Sequence, residues 1–362
     1  MYFTVTSDLN YDQRMLRICS SLSAAGYKIH LIGRKLPSST PLLPKNFAQK
    51  RINCFFTKGK LFYAEYNLRL FFYLLFKKMD GICAIDLDTI MPCYYISKWK
   101  KIPRIYDAHE YFSQMKEVIS RPGIYKFWLS IEKKYLPKFT NGYTVSESIA
   151  AEFKKLYGLN YGVIQNVPAL KSPVSAPAIN HKKIIIYQGA INEARGLEFL
   201  IPAIKNVDAA LHLYGDGNFI NQTKALIVAN NLQNKVLLKE KLLPAELATV
   251  TATAYIGINL VEHDGLNQYY SLANKFFDYM HSGIPQVTMN YPEYKRINDD
   301  YEIAVLIDNL KEETIAAAIN NLLHDTVLYA RLKNNCMAAR EKYNWQQEEK
   351  KLIQFYKEVF NR

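Results

Sequence analysis

Short apolar runs alternate with longer segments of mixed polarity along the first half of the chain. The apolar run at residues 2–6 (YFTVT) precedes a polar loop, a segment with helical periodicity at residues 14–26 and a second apolar run at residues 27–33. This order of strand, loop, helix and strand predicts the beginning of a parallel α/β sheet. Similar strand-like runs follow at residues 81–89, 104–110 and 141–148.

The second half repeats the pattern after a segment rich in Pro, Ser and Ala at residues 166–183, which predicts a linker. Strand-like runs follow at residues 183–191, 209–217, 235–241, 254–262 and 285–290, with helical periodicity at residues 196–207 and 219–232. Two helical segments close the chain at residues 311–342 and 344–362, and Asn344 is the predicted N-cap of the last one. The sequence therefore predicts two α/β domains of similar size and a helical tail.

The length of 362 residues is consistent with two domains, and the charge distribution distinguishes them. Residues 1–166 contain 25 Lys and Arg against 12 Asp and Glu, whereas residues 167–362 contain 21 of each class. The first half therefore carries the whole net charge of +13. This asymmetry predicts that the first domain faces a polyanion, either a nucleic acid or an anionic membrane surface, with an incidental solubility charge as the alternative.

Targeting signals and cysteine usage point to the cytoplasm. No apolar run reaches the roughly 18 residues of a membrane span, and the N-terminal residues lack the basic lead of a signal peptide. The five cysteines form no C-x-x-C pair, which indicates a reducing compartment and no structural zinc. The histidines likewise show no spacing typical of metal ligands.

Polar side chains interrupt an apolar and aromatic segment at residues 269–285 (YYSLANKFFDYMHSGIP). Ser271, Lys275 and Asp278 are spaced four and three residues apart and would share one face of a helix, whereas the apolar residues fall on the opposite side. A helix start near Asn274 with Lys275 beside it predicts a phosphate site, and Asp278 can accept hydrogen bonds from sugar hydroxyls. A core helix with a surface Lys–Asp pair is the alternative.

A second candidate phosphate contact follows the predicted strand that starts at residue 183. Gly189 after this strand allows a ligand to approach the backbone, and Arg195 before Gly196 suits a phosphate oxygen at the next helix. The segment has no G-K-[ST] and is not a P-loop. Residues 214–218 (YGDGN) supply only G-x-G, which is more often a turn.

Carboxylates and a histidine follow the predicted strands of the first half. Asp86 and Asp88 form a D-x-D pattern that binds a metal in some nucleotide-sugar enzymes, but two residues are weak evidence and we expect no metal. His109 is the best titratable residue for proton or hydroxyl contacts, with a histidine that caps a turn as the alternative. Further candidates for lining a ligand cleft are Asp12, Arg14 and Glu110.

Basic and apolar side chains are mixed at residues 69–79 (RLFFYLLFKKM) and 123–139 (GIYKFWLSIEKKYLPKF). Basic helices that carry Trp and Phe suit a membrane interface, and a helix packed on the sheet with an exposed basic face is the alternative. Because both segments lie in the positively charged half, we predict a peripheral membrane surface. Its candidate residues are Lys126, Phe127, Trp128, Lys133 and Lys134.

Four segments together resemble glycosyltransferases of the GT-B fold, family 4 (glycosyltransferase group 1) type, and the resemblance extends over nearly the whole chain. Residues 271–294 (SLANKFFDYMHSGIPQVTMNYPEY) are similar to the family segment S-L-P-N-K-L-F-E-Y-M-A-x-G-x-P. Residues 187–204 (YQGAINEARGLEFLIPAI) resemble its G-x-x-x-x-x-[KR]-G-L-x-x-L-I-x-A. Residues 144–168 resemble the end of the family's first domain, and residues 343–359 resemble the C-terminal helix that crosses back to it.

The resemblance implies two Rossmann-like domains that face each other across a cleft. Residues 1–166 with the C-terminal helix at 344–362 would bind the acceptor, and residues 167–343 would bind a nucleotide sugar. It implies a retaining hexosyltransferase that uses a UDP- or GDP-sugar and needs no metal or other cofactor. With the predicted membrane surface, the expected acceptor is a lipid-linked or cell-surface glycan at the cytoplasmic face of the membrane.

The resemblance also implies roles for single residues. Arg195 and Lys275 would grip the donor diphosphate, and His109 would face the transferred sugar. Asp278 replaces a family glutamate that binds ribose hydroxyls, and Tyr270 stands where the family often has a glutamate that contacts the sugar. The implied donor site comprises Gly189, Arg195, Tyr270, Ser271, Leu272, Ala273, Asn274, Lys275 and Asp278, with contributions from the backbone amides of residues 271–274. The implied acceptor side comprises Asp12, Arg14, Asp88 and Glu110.

Two other functions stay open from the sequence alone. A nucleotide-sugar 2-epimerase has the same fold but relies on several acidic and histidine residues. A basic nucleic-acid-binding protein would account for the charge, but residues 1–166 contain no RRM, KH or zinc-knuckle pattern. The segment at residues 271–294 favours sugar transfer.

Overall fold

A computed structural model describes residues 1–171 and 183–361. Residues 172–182, which contain most of the linker predicted at residues 166–183, lie outside the described residues. The chain divides into two compact units. Unit 1 comprises Met1–Asn166, Gly265–Asn267 and Glu348–Arg362, and unit 2 comprises Val167–Asp264 and Gln268–Gln347.

Unit 1 is built on a parallel sheet, which has seven strands in the described residues. In chain order the strands are β1 (Tyr2–Thr4), β2 (His30–Lys35), β3 (Ala48–Asn53), β4 (Ile82–Ile85), β5 (Arg104–Ala108), β6 (Asn141–Thr144) and β7 (Gly162–Val163). They are arranged in the order β3-β2-β1-β4-β5-β6-β7. Thr4 of β1 pairs with Ile32 on one side and Ala84 on the other, so the short apolar strand β1 lies inside the sheet and is buried.

The helices of unit 1 connect these strands. They are α1 (Gln13–Ala24), α2 (Gly59–Leu75), α3 (Ile90–Lys100), α4 (Lys116–Ile119), α5 (Pro122–Tyr135) and α6 (Glu147–Tyr157), with short 3-10 helices at Leu87–Thr89, Phe112–Gln114 and Leu136–Lys138. Asp12 caps α1 because its side chain accepts a hydrogen bond from the Met15 amide, and Ser146 caps α6 in the same way through Ile149.

Unit 2 is built on a second parallel sheet, with six strands in the described residues. They are β8 (Ile184–Gln188), β9 (Ala210–Tyr214), β10 (Val236–Lys239), β11 (Ile256–Asn259), β12 (Gln286–Met289) and β13 (Ala304–Ile307). Their order is β10-β9-β8-β11-β12-β13, the strand order of a doubly wound Rossmann fold. The topological switch of this sheet therefore lies beside β8.

The helices of unit 2 follow the same alternation along the chain. They are α7 (Leu197–Ala203), α8 (Ile220–Ala229), α9 (Pro244–Ala252), α10 (Leu266–Tyr269, of which Leu266 and Asn267 belong to unit 1), α11 (Asn274–His281), α12 (Pro292–Tyr301), α13 (Glu312–His324) and α14 (Thr326–Lys342), with a 3-10 helix at Ile204–Asn206. Phe276, Phe277 and Met280 of α11 pack into the apolar core of this unit.

The last helix, α15 (Trp345–Phe360), belongs to unit 1 from Glu348 onward. Asn344 caps it by accepting a hydrogen bond from the Gln347 amide at 3.1 Å, which confirms the predicted N-cap. Tyr356 is fully buried, with its ring centroid 6.0 Å from that of Phe3 and its hydroxyl 3.3 Å from the Tyr143 hydroxyl. The C-terminal helix is therefore part of the unit 1 core.

Three strands of the described chain escaped prediction, and all are short or lie at sheet edges. β3 is an edge strand with polar and exposed residues, β7 has two residues, and β13 is the other edge of the second sheet. The helical segment predicted at residues 311–342 is two helices. Asp325 separates them, since its side chain accepts a hydrogen bond from the Leu328 amide and caps α14.

Arg14 is a core residue, and its predicted place on the acceptor side is wrong. Its Nη2 lies 2.8 Å from Asp107 Oδ1, and its Nη1 donates to the Ile164 carbonyl at 2.9 Å. Both charged side chains are fully buried. The ion pair joins α1, β5 and the segment after β7, so it stabilises the unit and is inaccessible to a ligand.

Trp128 is also buried, which corrects its prediction as a membrane-facing residue. Its ring centroid lies 4.8 Å from Phe112 and 5.2 Å from Tyr63 on α2. The other four candidates of α5 are exposed, as predicted for that face: Lys126, Phe127, Lys133 and Lys134. Trp128 thus belongs to the packing side of α5.

Removing one partner of the buried ion pair is expected to destabilise unit 1 strongly. Asp107→Ala should lower the free energy of unfolding by about 3–5 kcal/mol, because Arg14 is left as a buried charge without its partner. Chemical denaturation measures this loss. The double variant Arg14→Leu/Asp107→Leu should be more stable than Asp107→Ala, since it leaves no charge in the core.

Lys295→Ala is the matched control for this experiment. It breaks the exposed Lys295–Asp299 pair, whose closest atoms are 2.6 Å apart, and should change the free energy of unfolding by less than about 1 kcal/mol. Equal losses in Asp107→Ala and Lys295→Ala would show that the buried pair has no special contribution.

Candidate functional site

Two glycines bring the chain segments after β8 and β9 into direct contact. Gly189 has φ +116° and Gly215 has φ +157°, a region that favours glycine. A Cβ atom on Gly215 would lie 1.8 Å from the Gly189 carbonyl oxygen. The Gly189 amide in turn donates to the Tyr214 carbonyl at 2.9 Å. The backbone is thus open at the carboxyl ends of both strands, beside the switch point of the sheet.

A cavity of about 260 Å³ lies at these strand ends. Its lining residues come from the segments after β8, β9 and β10 and from α9: Gly189, Ala190, Tyr214, Gly215, Asp216, Lys241, Leu242 and Leu247. The lining combines polar groups with the aliphatic side chains of Leu242 and Leu247, which is typical of a small-ligand site.

Lys275 lies next to this backbone, at the second residue of α11. A Cβ atom on Gly189 would lie 3.6 Å from Lys275 Cε and 3.9 Å from Nζ. The ammonium group also sits over the Tyr187 ring, 3.6 Å from its centroid, a favourable cation–π distance. Lys275, the cation predicted from the sequence, therefore lies beside Gly189, the glycine predicted to admit a ligand.

Arg195 approaches the same place from the turn before α7. Ala194 and Gly196 on either side have φ +62° and +69°, so the chain bends sharply around Arg195. Burial lowers the pKa of Lys275 well below its usual value, and the nearby Arg195 charge lowers it further, whereas Asp278 opposes the shift. The two cations, which are more than 75 positions apart in sequence, interact electrostatically in the folded unit.

Asp278 is held by hydrogen bonds that the sequence did not reveal. Its Oδ2 accepts from Gln188 Nε2 at 2.9 Å, and Gln188 Oε1 accepts from the Thr251 hydroxyl at 2.6 Å. Thr251 and Gln188 are buried. This chain of contacts fixes the orientation of the Asp278 carboxylate one turn after Lys275.

The loop before α11 differs from the prediction. α11 begins at Asn274, so Ser271 is outside the helix and does not share a helical face with Lys275 and Asp278. The Ser271 hydroxyl donates to the Gln268 carbonyl at 2.8 Å. The Ser271 amide donates to the same carbonyl, and the Ala273 amide donates to the Tyr294 hydroxyl at 3.1 Å. The amides of Ser271 and Ala273 therefore already have hydrogen-bond acceptors within the unit, and the contribution of the amides of residues 271–274 to a ligand site stays a prediction.

Tyr270 and Leu272, the other two predicted residues of this loop, contact aromatic or apolar neighbours. The Tyr270 ring packs at a tilted angle against the Tyr269 ring, and the ring centroids are 5.4 Å apart. Leu272 is partly buried and packs against the core of unit 2.

In unit 1, His109 follows β5 directly and is half-buried. Next to it, Glu110 Oε2 accepts from Asn267 Nδ2 at 2.8 Å, and the Tyr111 amide donates to Asn267 Oδ1 at 2.8 Å. Asn267 was not predicted, because nothing in the sequence pattern links it to residues 156 positions earlier. Its amide side chain orders the segment after β5, in which His109 and Glu110 lie.

The remaining acceptor-side candidates are structural in this fold. Asp12 is the N-cap of α1 and also accepts from the Ser7 hydroxyl at 2.6 Å. Asp88 is buried and accepts from the Thr6 hydroxyl, and burial raises its pKa to about 7. Asp86 accepts from the Glu110 amide at 3.0 Å, and burial and Asp88 raise its pKa. Contact with an acceptor is therefore not supported for Asp12 and Asp88.

The described ranges contain no group of three or more His, Cys, Asp or Glu side chains that would hold a metal ion.

Comparisons with known proteins agree with this geometry. Residues 173–338 match the family model of glycosyl transferases group 1. No curated protein sequence matches the chain.

Several solved structures are similar over the full length. Sucrose-phosphate synthase from Thermosynechococcus elongatus is 16% identical with a TM-score of 0.85, covering 99% of this chain and 98% of that one. HepE from Anabaena, in complex with UDP and glucose, is 14% identical with a TM-score of 0.77 and 98% coverage of both chains. WaaG, a glycosyltransferase involved in lipopolysaccharide biosynthesis, is 13% identical with a TM-score of 0.74 and coverage of 97% and 98%. These matches confirm the predicted GT-B fold.

The contact between Gly215 and Gly189 is expected to tolerate no side chain. Gly215→Ala should lower the free energy of unfolding by about 1–3 kcal/mol, because its φ is unfavourable for alanine and its Cβ meets a backbone oxygen. Denaturant unfolding measures the change. Gly162→Ala is the control, since its Cβ meets no atom within 4 Å, and it should alter stability by less than about 1 kcal/mol. Similar changes in the free energy of unfolding for both variants would contradict the close approach of Gly215 to the Gly189 carbonyl oxygen.

Proposed function

We propose that this chain, a glycosyltransferase by its group 1 domain, transfers a hexose from a nucleoside-diphosphate sugar to a lipid-linked or cell-surface glycan, with retention and without a metal. The observation that carries the proposal is the position of Lys275 beside the open backbone at Gly189, with the Arg195 charge close enough to interact with it. Two like charges close together, one of them a buried ammonium whose pKa is lowered, are costly unless an anion binds beside them. A diphosphate supplies that anion.

The chemistry of transfer explains why such cations matter. When the anomeric bond breaks, the leaving nucleoside diphosphate gains negative charge. Lys275 and Arg195 stabilise this charge by fixed electrostatic contacts in a partly desolvated site, which is a role that a metal ion has in other transferases. Tyr187 holds the Lys275 ammonium in position through its ring face.

The nucleoside part of the donor is assigned to the same unit. The cavity after β8, β9 and β10 accepts the base, and Asp278, oriented by Gln188 and Thr251, accepts hydrogen bonds from the ribose hydroxyls. HepE has been solved with UDP-glucose, which supports a uridine nucleotide as the first donor to test. His109 and Tyr270 are proposed contacts of the transferred sugar, and Glu110 is a proposed contact of the acceptor.

The proposed acceptor places the enzyme at the cytoplasmic face of the membrane. Within the described chain, no helix is both long and apolar enough to cross a bilayer. The support for a peripheral position is the net charge of +13 in residues 1–166 and the exposed α5 residues Lys126, Phe127, Lys133 and Lys134.

Removing either cation is expected to weaken donor binding and transfer. Lys275→Ala and Arg195→Ala should each reduce kcat by roughly 10²-fold or more, since each removes one fixed positive charge that stabilises the leaving nucleoside diphosphate. They should also reduce the rise in Tm that UDP-glucose gives to the wild-type protein. Lys224→Ala, which removes an exposed lysine of α8 in the same unit, is the control and should behave like the wild type.

Normal turnover in both cation variants would refute the diphosphate assignment. If UDP-glucose incubated without acceptor yields an epimer of the sugar, the protein is an epimerase instead.

Binding of the donor is expected to depend on pH through Lys275. The free protein lowers the pKa of this ammonium, and a bound diphosphate favours its protonated form. The affinity for UDP should therefore be full below the lowered pKa of Lys275 and fall as the pH rises through it. Above that pKa, UDP binding should be accompanied by proton uptake. Calorimetry in two buffers with different ionisation enthalpies, from about pH 7 to about pH 10, measures both effects.

Lys275→Arg is the informative variant for this prediction. A guanidinium stays charged over the whole range, so affinity should vary less with pH and proton uptake should disappear. Proton uptake that persists unchanged in Lys275→Arg would assign the titration to another group.

A further inference from the structure

Helix α2 of unit 1 is apolar on two opposite faces. One stripe, Phe62, Tyr66, Leu70 and Leu74, is buried against the sheet. The opposite stripe consists of Leu61, Leu68, Phe72 and Phe76, which are 60%, 59%, 53% and 81% exposed. The spacing of seven, four and four residues places these four on one side of the helix. A surface helix normally has polar residues on its solvent side, so this stripe needs another explanation.

The end of helix α3 extends the same surface. Lys100 Nζ donates to the Leu75 carbonyl at 2.9 Å, which brings the C-terminal ends of α2 and α3 together. Trp99, next to Lys100, is 65% exposed. We call Leu61, Leu68, Phe72, Phe76 and Trp99 the α2–α3 apolar surface. Several large apolar side chains exposed on adjacent helices are typical of an interaction site.

The charges around the α2–α3 apolar surface are almost all positive. Lysines lie at both ends of α2 and on both sides of Trp99: Lys58, Lys60, Lys77, Lys78, Lys98, Lys100 and Lys101. Residues 54–85 contain two carboxylates, Glu65 and Asp80. Glu65 is 2.8 Å from Arg69 and accepts hydrogen bonds from the Phe55 and Phe56 amides. The surface therefore complements an anionic partner with an apolar layer beneath its charges.

Helix α5 offers much less apolar area than α2 and α3. Trp128 packs inward on Tyr63 and Phe112, and Phe127 is the large exposed apolar side chain among the described residues of α5. Its lysines can attract an anionic surface, but one phenylalanine inserts little area. The apolar contact must come from another part of unit 1.

We propose that the α2–α3 apolar surface inserts into the headgroup region of an anionic phospholipid bilayer, with the flanking lysines at the lipid phosphates. Phe and Trp suit this depth, where apolar rings and polar headgroups meet, and lysine side chains reach outward from it. The proposal deepens the membrane part of the proposed function and rests on it. It concerns unit 1 residues that are separate from the donor site.

Intrinsic fluorescence provides a direct test, because the chain has three tryptophans. Trp99 is 65% exposed, whereas Trp128 and Trp345 are each 6% exposed. Mixing the protein with phosphatidylcholine–phosphatidylglycerol vesicles should shift the emission to shorter wavelength, and pure phosphatidylcholine vesicles should give a smaller shift. Trp99→Phe should abolish the shift while most of the protein still co-sediments with the anionic vesicles.

Sedimentation of variants identifies the surface. Phe72→Ser and Phe76→Ser should each lower the vesicle partition coefficient by about tenfold, because each removes a large buried apolar side chain from the bound state. Val228→Ser and Val327→Ser, at exposed positions of unit 2, are matched controls and should bind like the wild type. Phe127→Ser should have a smaller effect than either α2 variant.

Several results would overturn the proposal. They are an absent emission shift with anionic vesicles, equal binding of the α2 variants and the wild type, or a larger loss in Phe127→Ser than in Phe76→Ser. Self-association in sedimentation velocity that is lost in Phe72→Ser would instead assign the surface to a second copy of the chain. Failure of the donor site is distinguishable, since Lys275→Ala should bind vesicles normally and Phe76→Ser should keep its thermal shift with UDP-glucose.

Discussion

The half-buried ammonium of Lys275 beside the Arg195 charge is the constraint on which the unit 2 site depends. Two like charges in a partly desolvated place repel each other, and burial adds to the cost, as the lowered pKa of Lys275 shows. The Tyr187 ring face, 3.6 Å from the ammonium, and the Asp278 carboxylate offset part of this cost. The remaining positive charge favours an anionic ligand, which is the basis for proposing a diphosphate there.

Glycines at the ends of β8 and β9 shape the backbone beside Lys275. Gly215 lets the ends of β8 and β9 approach each other, because a Cβ atom on it would overlap the Gly189 carbonyl oxygen, whereas a Cβ atom on Gly189 would face Lys275. The cavity at these strand ends is lined by Gly189, and Lys275 lies next to that glycine. The arrangement is at the switch point of the doubly wound sheet, where such folds bind ligands.

Local spacing predicted the parts of the site that depend on one helix or one turn, and it failed for contacts between distant segments. Lys275 and Asp278 were found because they are three positions apart on α11, but Ser271 was added by extending that helix through a loop. Gln188 and Thr251 lie 63 residues apart, and Arg14 and Asp107 lie 93 apart. No periodicity reports such pairs, so a buried arginine was mistaken for a ligand contact.

The two units also differ in how they use positive charge. Residues 167–362 are neutral overall, and two of their cations, Lys275 and Arg195, lie close together, which suits the small diphosphate that is proposed as ligand. Residues 1–166 spread an excess of 13 charges over exposed lysines around an apolar surface, which suits an extended layer of lipid phosphates with hydrocarbon beneath. A sugar donor is soluble and a lipid-linked acceptor is confined to the bilayer. The division of charge is therefore what the proposed function requires, since the two proposed substrates are found in different phases.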